Sequence, residues 1–218
     1  VIVIETDLNK IKKLLLENED ENWKFISFLK TCDIPSEKID SIVHRLYKNI
    51  SSGIDCKTCA NCCKEMRPVL NIEDIQKHSI GLHLSVSQFK IKYLTKDGES
   101  ENYIFNTKHC PFLKANLCSN YAFRPENCKS YPYLHNSDFS SRLINVIVNF
   151  SVCPIVFNVY ESLKDEILNI TTLALITPTP PESHLLGRKM HPHPDENIKT
   201  IQEGIQTKGL PIRTETLT

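Results

Sequence analysis

Apolar residues recur at steps of three and four along the first fifty residues, a spacing that predicts helices. Leu8, Ile11, Leu14 and Leu15 share one stripe. An acidic run from Glu17 to Glu21 interrupts it before Trp23, Phe25, Ile26 and Leu29 resume, so a broken helix is expected over 8–29. Pro35 and Ser36 open a second helix, whose stripe of Ile39, Ile42, Val43, Leu46, Tyr47 and Ile50 faces a core until Ser51-Ser52-Gly53 ends it. Asn71 caps a short helix over 71–80 with Gly81 past its end, and Ser85 with Gln88 forms a capping box for the next.

Strand signals are fewer and shorter. Tyr103-Ile104-Phe105 is one, after a turn at Lys96-Asp97-Gly98. Phe112-Leu113 and Leu117-Cys118 can pair across Lys114-Ala115-Asn116, which would bring Cys110 near Cys118. From 143 to 152, Ile144, Val146, Val148, Phe150 and Val152 alternate with Asn145, Ile147, Asn149 and Ser151, which predicts a strand ending at Cys153-Pro154. A helix over 160–170 follows. Beyond it, Thr177-Pro178-Thr179-Pro180-Pro181 and His191-Pro192-His193-Pro194 read as linker and tail, with a weak helical period near 196–206.

The fold class expected is α+β: a small cysteine-rich domain, mainly helical with a small antiparallel sheet, stitched by a metal centre. Residues 1–50 form an N-terminal helical segment, 51–170 the cysteine-cluster metal-binding domain, and 171–218 a Pro-rich linker and flexible tail.

Charge narrows the partners. Lys plus Arg equals Asp plus Glu at 26 each, so no overall field favours nucleic acid or acidic lipid. No apolar run is long enough for a membrane span. Val1-Ile2-Val3-Ile4 is too short for a signal-peptide core, and with no initiator methionine a preceding native segment is expected. The reading is a cytoplasmic protein with a protein partner or protein substrate. No Gly-rich loop opens a helix after a strand, so no nucleotide cofactor site of that kind is expected.

Cysteine changes the picture most. There are nine in 218 residues, an odd number, and four of them fall between 56 and 63. With no export signal, this crowding favours metal or redox chemistry over disulfides. Cys56-x2-Cys59-x2-Cys62 is the spacing that supplies three of four ligands to a [4Fe–4S] cluster, the fourth coming from afar and often preceding proline. Cys110-Pro111 and Cys153-Pro154 have that form. Zinc takes the same thiolates in a tetrahedron, so spacing leaves an iron–sulfur cluster and zinc both open.

Adjacent Cys62 and Cys63 diverge, and so reach different metals or different atoms of one cluster. Cys32 reads as a small buried hydrophobe. The metal-ligand candidates are therefore Cys56, Cys59, Cys62, Cys63, Cys110, Cys118, Cys128 and Cys153, enough for two four-thiolate sites or one cluster with spare thiols. One workable partition joins Cys56, Cys59 and Cys62 to one distant partner and leaves the rest for a second centre. Lys57, Lys64, Arg67, Lys108, Arg124 and Lys129 can balance the thiolate charge or bind an anion. His109, beside Cys110, is the best histidine candidate. His44, and the prolyl-flanked His191 and His193, read as packing or surface. Tyr121, Tyr131 and Tyr133 read as core.

Cys56-x2-Cys59-x2-Cys62-Cys63 resembles the opening motif of the CxxCxxCC proteins, a zinc- or iron-chelating family also described as YkgJ-like cysteine cluster proteins. Later blocks match in order: Cys110-Pro111-Phe112-Leu113, Cys118-x2-Tyr121, Arg124-Pro125-x2-Cys128 and Tyr131-Pro132. Ile72-Glu73-Asp74-Ile75 and Leu84-Ser85-x3-Phe89 resemble the family's intervening helices, so the likeness covers about residues 54–155. Ala60 stands where glycine is common and Lys129 where arginine is common. One branch of the family, the longer flagellin lysine N-methylases, implies a cluster-dependent protein methyltransferase as an alternative to a redox or metal-handling role. A structural zinc module for protein contacts is the third reading.

Overall fold

The computed structural model describes residues 3–176, with the backbone alone at 173–176. The chain opens with three helices, α1 (Leu8–Glu17), α2 (Glu19–Thr31) and α3 (Ser36–Ser51). Asp7 caps α1 by accepting the Asn9 and Lys10 N–H groups, and Asn18 breaks the pair where the acidic run predicts it. Two single-turn helices follow, α4 (Cys56–Cys59) and α5 (Asn61–Glu65). Next come β1 (Val69–Leu70), α6 (Ile72–Ile80), α7 (Val86–Tyr93), β2 (Leu94–Lys96) and β3 (Tyr103–Phe105). The remainder is the hairpin β4 (Leu113–Lys114) and β5 (Leu117–Cys118), then α8 (Glu126–Ser130), α9 (Leu143–Phe150) and α10 (Pro154–Ile176).

The class is α+β and mainly helical, with an antiparallel sheet ordered β1-β3-β2 and the separate two-stranded hairpin. The predicted pairing of 113 with 118 is present in register, its turn closed by Ala115 and Asn116, both at positive φ. Sequence patterning missed β1 and β2. Each has at most three residues, too few to show an alternation.

One expectation fails outright. Residues 143–150 form a helix, not a strand, and Cys153 follows a helix end. The buried residues Leu143, Val146 and Phe150 fall three and four apart, a helical stripe that coexists with the alternation. A short apolar run satisfies both periods, and burial against neighbouring helices selected the helix. The last helix also starts earlier than expected, at Pro154, where the ring suits a first helical position. The helical period near 196–206 and His191 and His193 lie outside the described residues.

Two hydrophobic cores result. The larger joins Phe25, Ile39, Val43 and Leu46 of the N-terminal helices to Phe139, Leu143, Phe150, Tyr160 and Leu163. Tyr160, fully buried, packs edge-on against Phe25 and donates its hydroxyl to the Asn22 carbonyl at 3.0 Å. Buried Asp40 accepts the Asp138 and Phe139 backbone N–H groups at 2.8 and 2.9 Å, which fastens the irregular 131–142 segment to α3. The smaller core gathers Leu70, Ile75, Phe89, Leu94, Phe105 and Phe112 around the sheet. Gly81 ends α6 where a Cβ would run into the Asn120 and Phe123 side chains, so the 120–123 turn lies tightly on that helix.

Candidate metal centre

The cysteine segment runs along the seam between these cores. Asp55 caps α4 by accepting the Lys57 N–H at 2.9 Å, which sets Cys56 and Cys59 on one helical turn. Ala60 then turns the chain through the left-handed region, φ 49 and ψ 15, and starts α5 with Cys62 and Cys63 in a new direction. A left-handed residue carrying a Cβ is strained, which accounts for glycine being common at this place in the resembling family. Ala60→Gly is therefore expected to gain about 0.5–1 kcal/mol, strain relief outweighing the freer unfolded chain. Chemical denaturation of the metal-loaded protein measures it.

Hydrogen bonds carry the distant cysteines to this segment. The Cys110 N–H donates to the Cys63 carbonyl at 3.1 Å, and His109 Nδ1 donates to the Lys64 carbonyl at 2.7 Å. The β4–β5 pairing places Cys118 opposite Leu113, close to Cys110. Cys128 sits on α8, whose Asn127 amide donates to the Val69 carbonyl at 2.7 Å and whose Glu126 N–H donates to Asp74 at 2.9 Å. Asn61, buried, donates to the Val152 carbonyl at 2.8 Å and so joins α5 to the turn bearing Cys153.

All eight candidate cysteines line one cavity of about 570 Å³, and Cys32 does not. None of the nine is in a disulfide. Among the described residues no Asp or Glu lines the cavity, whereas Lys57, Arg124 and Lys129 do. Soft thiol donors without a hard carboxylate suit zinc or iron–sulfur chemistry and not magnesium or calcium. Among the described residues, no three Cys, His, Asp or Glu side chains converge as ligands of one metal ion.

Backbone N–H groups aim at several sulfurs. Cys153 Sγ accepts from Val156 and Ile155 at the start of α10, Cys110 Sγ from Phe112 and Leu113, and Cys118 Sγ from Asn120. Such bonds stabilise thiolate and metal-bound sulfur. Burial opposes them in the metal-free protein, pushing the Cys110 thiol up to about 11 and Cys153 to about 12, and raising Cys56, Cys118 and Cys128. A hydrogen bond shared between the Cys62 and Cys63 side chains favours the thiolate on Cys63, helped by Arg124 and Lys64, and keeps Cys62 protonated.

The cations and rings sort themselves around this cavity. Arg124 stacks on Tyr121 with 3.9 Å from guanidinium carbon to ring centre, and Lys57 lies 5.4 Å from the same ring. Tyr121 is 43% exposed, so it belongs to the cavity rim and not to a core. Tyr131 and Tyr133 are half-buried and bonded through their hydroxyls to Asn149 and Asn127. Lys64, Arg67, Lys108 and His109 do not line the cavity, and His109 acts as a backbone clip. His44 is half-buried, contacting the Asn136 carbonyl.

His78 is the cavity residue that sequence reasoning missed. It is 1% exposed, its Nδ1 donates to the Phe123 carbonyl at 2.8 Å, and its Nε2 has no hydrogen-bond partner among the described residues. Its spacing held the signal: Ile75, His78 and Ser79 share the buried face of α6.

Residues 55–145 match the family model CxxCxxCC, described as a "Putative zinc- or iron-chelating domain". Cys153 lies beyond the matched segment yet lines the same cavity. No curated protein and no solved structure matches the chain. The ordered cysteine motifs and most of the cavity they share thus fall in a segment, residues 55–145, that is similar to the CxxCxxCC family.

Proposed function

We propose that the protein holds an iron–sulfur centre on the thiolates of the seam cavity, with a redox or metal-handling role toward a protein partner. The observation that carries this reading is eight thiols lining one cavity of about 570 Å³, twice the four that a single zinc ion takes. Four thiolates bound to one zinc ion crowd together, each about 2.3 Å from the metal. A polynuclear cluster spreads its outer ligands wider and fills the space between them with iron and sulfide. The N–H groups directed at Cys110, Cys118 and Cys153 would stabilise the negative charge that such a centre carries.

Each part of the chain has a task in holding such a centre. The α4–α5 segment would present four ligands, the left-handed turn at Ala60 fanning them apart. Lys57, Arg124 and Lys129 would offset anionic charge at the cavity. Cys56, the exposed member of the set, marks the solvent side, where exposed Leu117 and Tyr121 of the cavity lining offer an apolar fringe suited to a partner. Among the described residues no helix is long and apolar enough to cross a membrane.

Purification without oxygen, followed by absorption spectroscopy and assay of iron, acid-labile sulfide and zinc, tests the reading. A brown protein with iron and sulfide in matching amounts is expected. A colourless protein with stoichiometric zinc would replace the redox role with a structural one.

A further inference from the structure

We propose that the eight thiols form two four-thiolate centres side by side: Cys56, Cys59, Cys62 and Cys153 in one, and Cys63, Cys110, Cys118 and Cys128 in the other. This deepens the proposed function and rests on it.

The division follows the two cores. Cys153 belongs to the larger, helical core, and Asn61 ties its turn to the segment bearing Cys56, Cys59 and Cys62 through the 2.8 Å bond to the Val152 carbonyl. Cys110 and Cys118 pack against the smaller core. Cys128 is anchored to that same side, because α8 is bonded to β1 through Asn127 and to α6 through Asp74. Cys63 joins this second group by its backbone, whose carbonyl accepts the Cys110 N–H.

The consecutive pair Cys62-Cys63 then falls on the boundary. On α5 consecutive residues project about 100° apart around the axis, so the two thiols can touch at the boundary and still serve two centres. Centres held by these consecutive residues would lie side by side, the arrangement in which neighbouring spins interact.

Metal content per chain reads the outcome. The anaerobically purified protein is expected to hold two centres. The pair Cys59→Ser with Cys153→Ser and the pair Cys110→Ser with Cys118→Ser should each retain about half of the metal, as separate ligand sets require. Far-ultraviolet circular dichroism checks that each variant keeps its helices. For any variant that fails to fold, paramagnetic resonance of the reduced wild-type protein decides instead, with signal splitting between two neighbouring spins expected.

Loss of all metal in either double variant that keeps its helices, or a wild-type protein with one centre and an unsplit signal, would overturn the two-centre assignment while leaving the metal reading intact. A wild-type protein that binds no metal would remove both.

Discussion

Stripping the metal should release the cysteine-bearing part of the chain while the helical core stays folded. The larger core rests on long helices and twenty buried residues, with α3 packed along α10. The smaller has six buried residues, strands of two or three residues, and two helices of only nine and eight residues, α6 and α7. A core of that size is marginal without a cross-link. Ligation of a structural metal contributes on the order of 10 kcal/mol, and little of it survives in the apo chain. Hydrogen exchange should therefore accelerate at least about a hundredfold in β3, β5 and α8, since about 3 kcal/mol of lost local stability suffices. Amides of α3 and α10 should change by less than about tenfold. Equal protection throughout, with and without metal, would contradict this division of stability.

Acidity should move the loaded and stripped proteins in opposite directions. Burial raises the thiol pKa values of Cys110 to about 11 and Cys153 to about 12, and six of the eight cavity thiols are shifted upward. At neutral pH these groups hold their protons until a metal displaces them. Metal binding then releases protons, and affinity rises by up to about tenfold per pH unit for each proton released.

The metal-free fold has the other sign. Its thiols bind protons more tightly than those of the unfolded chain, so their contribution is complete below the unfolded value of about 8.5 and declines as pH rises past it. The lowered pKa of Cys63 works against this trend but is outnumbered. Melting temperatures measured from about pH 6 to about pH 10 should climb for the loaded protein and fall for the stripped one. Parallel curves would show that the thiols are not where protons and metal compete.

Much of the helical framework was legible because its stripes are long. Ile39 to Ile50 repeat over about three turns, and such a pattern has one good explanation. The 113–118 hairpin was legible from its turn, since asparagine tolerates the left-handed backbone that the tight connection needs. Residues 143–150 misled, because isoleucine and valine favour strands locally and only contact with α10 and neighbouring segments decides for helix.

For the candidate site, the eight cysteines were visible from spacing and from their family-like blocks. Their approach depends on side chains with no motif of their own. Asn61 reaching Val152, Asn127 reaching Val69 and Asp74 reaching Glu126 are contacts between residues 52 to 91 positions apart, and no local pattern encodes them. His78 was readable as buried from its place beside Ile75 and Ser79, but nothing in that spacing said that it borders the cysteines.

Alkylation of the native protein, mapped cysteine by cysteine with and without metal, tests the central claim most directly. Cys56 is exposed and most of its companions are only half-buried, so burial alone gives them little shelter from a small reagent. These eight thiols should resist labelling in the loaded protein and become reactive once the metal is removed, while Cys32 labels alike in both. If Cys56, Cys59 and Cys63 react as fast in the loaded protein as in the stripped one, their sulfurs hold no metal and the shared centre does not exist.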